Sequence, residues 1–202
     1  PDKVLTYTIK PNIYGSLAAI IRKIPYCCNV TGLGSTFQTD GLIKNLILIL
    51  YKLSMNKAEV IFFENSGNRD VLANKHVIKL QQTMVLPGAG VNLKEFSFTE
   101  YPLNEGIIKF LFVGRIMKEK GIDELFWAIS KLKEEYSHLI FDFIGWYEDD
   151  YEQTVRVLEE KGMIRYHGFQ QDVRPYIAKA HCVILPSHHE GMSNTLLESA
   201  AM

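Results

Sequence analysis

Apolar positions along the chain follow two alternating periods. Short runs rich in β-branched and aromatic residues occur at 4–8, 60–63, 83–86, 108–113, 139–144, 164–166 and 182–185, and these predict strands. Between them, apolar residues spaced three and four apart predict helices near 13–22, 41–57, 67–74, 121–135, 150–161, 172–179 and 195–202. Sustained alternation of this kind is the pattern of βαβ units around a parallel sheet buried on both faces. In the second helix Leu42, Leu46, Ile49, Leu50 and Leu53 fall near one side, which is read as core contact rather than membrane contact.

The periodicity breaks at Leu86-Pro87-Gly88-Ala89-Gly90-Val91-Asn92 and stays weak to Gly106, with Pro102 in between. An inter-domain connection is expected from about residue 87, dividing a first α/β domain, 1–105, from a second, 106–202. Each is small for a nucleotide-binding domain, so both are expected to be incomplete. The ends agree with a fragment: the chain opens on Pro1-Asp2-Lys3 and stops inside a helical pattern.

Composition changes this picture little. With 47% hydrophobic and 22% charged residues, the chain has the balance of a globular protein. No apolar run approaches the roughly 20 residues of a membrane span. Cys27, Cys28 and Cys182 lack zinc-type spacing and suggest a reducing, cytoplasmic setting. Residues 1–105 hold eleven Lys and Arg against eight Asp and Glu, a net +3, whereas 106–202 hold eleven against fifteen, a net −4. A basic half is compatible with peripheral contact at the inner face of a cytoplasmic membrane. Nucleic acid is not expected, because no dense basic stripe is interleaved with aromatics.

Candidate chemistry concentrates in the second half. The strand Phe110-Leu111-Phe112-Val113 ends in Gly114-Arg115 and is followed by Lys118, Lys120 and Gly121. Carboxyl ends of strands in an open α/β sheet face the ligand crevice, where Arg115 and Lys120 could clamp a diphosphate. The second element runs from Leu185-Pro186-Ser187-His188-His189 to Glu190-Gly191-Met192-Ser193-Asn194-Thr195, with Glu198 one turn into the following helix. First-turn N–H groups of that helix suit phosphate. Read alone, Thr195-x-x-Glu198 is a capping box, and the adjacent His188 and His189 read as loop residues.

Together these residues resemble the retaining GT-B glycosyltransferases of family 4, glycosyl transferases group 1. Glu190 and Glu198 match the Glu-x7-Glu motif of that family, and Leu185-Pro186-Ser187, Phe112-Val113-Gly114-Arg115, Lys120-Gly121, and Gly168-Phe169 before Asp172-Val173 match in order. Upstream, Thr6-Tyr7-Thr8-Ile9-Lys10-Pro11-Asn12, Ile24-Pro25-Tyr26, Thr31-Gly32-Leu33-Gly34-Ser35 and Gly88-Ala89-Gly90-Val91-Asn92 look like the acceptor side of bacterial members that extend lipid-linked saccharides. Gly32-Leu33-Gly34 is only a partial glycine fingerprint, with Phe37 at the third glycine's place.

The resemblance implies two Rossmann-like parallel-sheet domains and transfer of a sugar from a nucleotide-sugar donor to a saccharide or polyprenyl-linked saccharide acceptor. It implies retention and no obligatory metal or other cofactor. Arg115 and Lys120 would hold the diphosphate, and N–H groups of Met192, Ser193, Asn194 and Thr195 would complete its cradle beside Gly114 and Gly191. Glu190 would serve the reacting sugar, Glu198 the ribose, and Phe169 the base. Lys10, Gly32, Gly34 and Asn65 are the acceptor-side candidates. Two other readings remain: a nucleotide-sugar epimerase of the same fold and a noncatalytic sugar-nucleotide-binding protein.

Overall fold

The computed structural model describes residues 1–34, 41–103 and 106–202. They divide into two units, Pro1–Gly90 with Glu190–Ser193, and Val91–His189 with Asn194–Met202. Ser35, Phe37 and Glu105 lie outside the described residues.

In the first unit, strands β1 (Val4–Tyr7), β2 (Tyr26–Val30), β3 (Val60–Phe63) and β4 (Thr83–Val85) form a parallel sheet in the order β1-β2-β3-β4. Helices α1 (Ile9–Arg22), α2 (Leu42–Met55) and α3 (Ser66–Asn74) provide the crossovers that parallel neighbours require. Pro11 sits in the first turn of α1, where its missing N–H leaves no gap in the helix. The core gathers Ile13 and Ala19 of α1, Cys28 and Val30 of β2, Tyr51 and Met55 of α2, Ile61 and Phe63 of β3, and Leu72 of α3.

Two expectations fail here. β2 is absent from the sequence pattern, because Tyr-Cys-Cys-Asn-Val is a short run with two cysteines and a polar Asn29 and shows no alternation. It is nevertheless an inner strand, bonded to β1 on one side and β3 on the other. The apolar side assigned to α2 is not core either. Leu50 packs inward, but Leu42, Leu46, Ile49 and Leu53 are exposed, since Tyr51, Ser54 and Met55 on the opposite side face the core.

In the second unit, β5 (Ile108–Val113), β6 (Leu139–Ile144), β7 (Arg165–Tyr166) and β8 (Cys182–Val183) form a parallel sheet in the order β7-β6-β5-β8. Helices α4 (Ile122–Glu135), α5 (Glu152–Glu160), α6 (Arg174–Ile177) and α7 (Asn194–Ala201) accompany them. Both sheet faces are buried: Phe112, Phe141 and Phe143 pack against α4 and α5, and Leu111 and Ile144 join Ile177 on the other side. Order runs one way from β5 through β6 to β7 and then reverses to β8. β5 and β8 therefore flank a topological switch point, where open α/β sheets place ligands beyond the strand ends.

Candidate functional site

The two sequence elements singled out for donor chemistry leave these two neighbouring strands. After β5, Gly114 donates to the Ile144 carbonyl at 2.9 Å, and a Cβ on Gly114 would press on the Phe112 ring at 3.3 Å. Its neighbour Gly145, φ 148°, approaches so closely that a Cβ there would lie 1.8 Å from the Gly114 oxygen. Gly145 in turn donates to the Gly168 carbonyl at 3.0 Å. The ends of β5, β6 and β7 thus meet at backbone distance, which only glycine allows.

Arg115 emerges at this junction, exposed, with Nη1 3.5 Å from a Glu148 carboxylate oxygen. Such a surface pair contributes about 0–1 kcal/mol and yields readily to a more strongly charged anion. Lys120 closes a 3-10 turn, Lys118–Lys120, and Gly121 with φ 69° opens α4. The turn is pinned by the Lys118 N–H, which donates to Asp149 Oδ2 at 2.9 Å.

The segment after β8 is fastened to that turn. A Cβ on Gly121 would stand 2.2 Å from the Pro186 oxygen, so the two backbones are in contact. The His188 N–H donates to the Glu119 carbonyl at 3.0 Å, and its imidazole Nε2 lies 3.2 Å from Glu124 Oε1. His188 is therefore a loop anchor, as its sequence context suggests.

α7 begins at Asn194, which puts Thr195 inside its first turn rather than at the cap. The Thr195 carbonyl accepts from the Ser199 hydroxyl at 2.7 Å. Glu198 is half-buried, and desolvation, reinforced by Glu95, raises its carboxyl above the ordinary value. Phe169 is not core: it is 66% exposed and meets the half-exposed Trp146 edge to face, with centroids 5.7 Å apart. This aromatic pair stands just past β6 and β7. Trp146 escaped the sequence reading because a lone tryptophan in a loop carries no periodic signal.

The remaining donor residues, Glu190, Gly191, Met192 and Ser193, group with the first unit. Asn65 caps α3, its side chain accepting from the Asn68 N–H at 2.8 Å. Its amide also donates to the Gly191 carbonyl at 2.8 Å and to that of Glu190 at 3.2 Å. The adjacent Glu64 accepts from the Met192 N–H at 3.2 Å. Burial raises the Glu64 carboxyl, and that hydrogen bond opposes the rise. Gly191 admits no side chain, since a Cβ would meet the Thr31 oxygen at 1.9 Å. Asn65, expected on the acceptor side, thus holds the segment that carries Glu190, and the Met192 N–H expected to face phosphate is bonded to Glu64.

The other acceptor-side candidates do not gather with these contacts. Lys10 is exposed in the first turn of α1, Gly32 is half-buried with open space around it, and Gly34 has φ 71° near Ile9.

Comparison with known proteins finds relatives for both halves of the chain. Residues 108–202 match the family described as glycosyl transferases group 1. That segment is similar to the group 1 glycosyl transferases over just under half of the chain. The chain is 29% identical, over 99% of its length, to N,N'-diacetylbacillosaminyl-diphospho-undecaprenol alpha-1,3-N-acetylgalactosaminyltransferase of Campylobacter jejuni, spanning 56% of that protein. Over 44% of the chain it is 33% identical to the lipopolysaccharide core biosynthesis glycosyltransferase LpsE of Rhizobium meliloti, covering 26% of it. The chain thus spans about half, or less, of the curated relatives it matches. Among solved structures, Anabaena HepE in complex with UDP-glucose matches with a TM-score of 0.77 at 16% identity, over 98% of this chain and 57% of that one. The galactosyltransferase WaaB matches at 0.67 and 19%, over 100% and 54%. The group 1 segment is therefore the β5–α7 unit of a GT-B fold.

Proposed function

We propose that the chain is part of a glycosyltransferase that moves a sugar from a nucleotide-sugar donor to a saccharide or polyprenyl-linked saccharide acceptor, with retention, in surface polysaccharide or glycan synthesis at the cytoplasmic side of a membrane. The observation that carries this reading is the fastening of the Arg115/Lys120 turn to the segment leading to Glu190, at the switch point between β5 and β8. Relatives support the substrate classes: the C. jejuni protein is named for a diphospho-undecaprenol acceptor, and HepE is described with UDP-glucose.

In such a transfer the bond from the anomeric carbon to the diphosphate breaks, and negative charge collects on the leaving phosphate while the sugar gains oxocarbenium character. Stabilising that phosphate is the main electrostatic task. Arg115 offers a planar fork of donors and Lys120 a compact charge, and between them they can serve without a metal. Trp146 and Phe169 offer faces for the base, Glu198 suits ribose hydroxyls, and the Glu-x7-Glu spacing assigns Glu190 to the reacting sugar.

The test uses the full-length protein with UDP-glucose and UDP-N-acetylgalactosamine as first donors and a polyprenyl-diphosphate saccharide as acceptor. Product NMR is expected to show the donor's anomeric configuration kept, and Glu190→Ala to lower kcat about a hundredfold or more. An inverted linkage removes retention; near-native turnover of the variant removes Glu190 from the chemistry.

A further inference from the structure

Between Val183 and Asn194 the chain forms neither helix nor strand, so the positions of Glu190, Gly191 and Met192 are set by contacts with distant parts of the chain. Those contacts come from the ends of three neighbouring strands, all within the first unit. Past β2, the Thr31 carbonyl lies so close to Gly191 that no side chain fits there. Past β3, Asn65 Nδ2 donates to the Gly191 and Glu190 carbonyls, and Glu64 accepts from the Met192 N–H. Past β4, Gly88, with φ 71°, makes room for the Met192 side chain, since a Cβ there would stand 2.6 Å from Met192 Cγ.

The residue type at position 65 matters in this seat. As the cap of α3 it needs only an oxygen, and Ser, Thr or Asp would serve equally. An ionised Asp has no proton to give, and Ser and Thr have one on a shorter stem. Asparagine adds two N–H donors to the capping oxygen, and here both ends are used: Oδ1 accepts from the Asn68 N–H at 2.8 Å while Nδ2 reaches two consecutive carbonyls. Asn68 is itself buried, so the cap holds the amide on a rigid element.

We propose that Asn65, together with Glu64, is a positioning residue for Glu190: it fixes the backbone that carries this acid and thereby sets where the Glu190 carboxylate stands toward the donor sugar. The inference rests on the glycosyltransferase reading, which gives Glu190 its task, and it moves Asn65 from the acceptor side of the reaction to the donor side. Displacing a group that acts on the transition state by about 1 Å can lower turnover about a hundredfold. Affinity for the diphosphate, by contrast, falls to Arg115 and Lys120 in that reading. Asn65 therefore acts on kcat and not on donor binding.

Asn65→Asp in the full-length protein tests this, because it keeps the capping oxygen and removes both donors. With UDP-glucose and UDP-N-acetylgalactosamine as donors and a polyprenyl-diphosphate saccharide as acceptor, kcat is expected to fall about tenfold or more while donor KM changes less than about threefold. Glu64→Ala should lower kcat severalfold, and Glu64→Gln, which keeps an oxygen for the Met192 N–H, should recover most of that loss. Amide hydrogen exchange reads the seat without turnover: in Asn65→Asp the Met192 N–H is expected to exchange about tenfold faster or more, with Asn68 and the rest of α3 as protected as before. Unchanged kcat, or unchanged exchange at Met192, overturns the proposal. So does a rise in donor KM at constant kcat, which would place Asn65 against the donor, or lost protection throughout α3, which would make it a cap and nothing more. Absence of transfer by the unaltered protein would count against the glycosyltransferase reading, and exchange at Met192 would then decide for or against the seat by itself.

Discussion

Arg115 makes only a modest contact, which the proposed diphosphate would replace with a stronger one. Its 3.5 Å pair with Glu148 is half-exposed, so giving it up costs little, whereas a diphosphate offers two charge-assisted acceptors. Arg115→Ala and Lys120→Ala are each expected to weaken UDP binding by about tenfold to a hundredfold, read by titration calorimetry. Arg115→Lys should recover only part of the loss, because the ammonium cannot fork across two oxygens. Removing Glu148 as Glu148→Gln should leave affinity equal or slightly higher. A large loss in that variant would mean that Glu148 orients Arg115 rather than merely resting against it.

At the scale of elements, the glycines at strand ends carry more than the sequence showed. Gly121→Ala places a methyl 2.2 Å from the Pro186 oxygen at a φ of 69°, and Gly145→Ala places one 1.8 Å from the Gly114 oxygen. Each is expected to cost about 2 kcal/mol or more in urea denaturation, with Gly162→Ala, positive in φ but with open space, costing less. Seven of the eight strands were legible because short runs of apolar, β-branched and aromatic residues stand between helical periods. β2 was not, since Tyr26–Val30 owes its place to partners on both sides rather than to its own composition. The α2 stripe misled for the converse reason: periodicity reveals that a helix has an apolar side, but not what that side touches. Among the candidate site residues, spacing pointed to Glu190 and Glu198 and strand ends pointed to Arg115. Glu64, Gly145 and Trp146 were invisible, because their roles come from chain segments far away in sequence.

For the molecule as a whole, the two half-buried acids Glu64 and Glu198 link stability to pH. Burial raises both carboxyls above the value they have in an unfolded chain. The folded state therefore holds their protons more tightly, and their contribution to stability is present at acid pH and is lost as pH rises through the folded values. Glu64→Gln and Glu198→Gln are expected to raise Tm relative to the unaltered chain at neutral pH by up to a few degrees, and by less near pH ~4, as read by scanning calorimetry. A gap that widens towards acid pH would show instead that the ionised forms are the stabilising ones. The asymmetry of charge that composition displayed also acquires a location, since the basic excess includes two adjacent helices without an acid.

The contact between Gly121 and Pro186 bears on how such proteins can be re-engineered. Attempts to alter donor choice would naturally graft one segment at a time, either the Lys118–Gly121 turn or the stretch from Pro186 to His189. Here each is shaped against the other's backbone, and the His188 N–H ties them a second time. A graft of either alone imports a mismatch at a joint with no side chain to absorb it. The transplantable unit is the pair, with α4 of the recipient supplying Glu124 for the imidazole of His188.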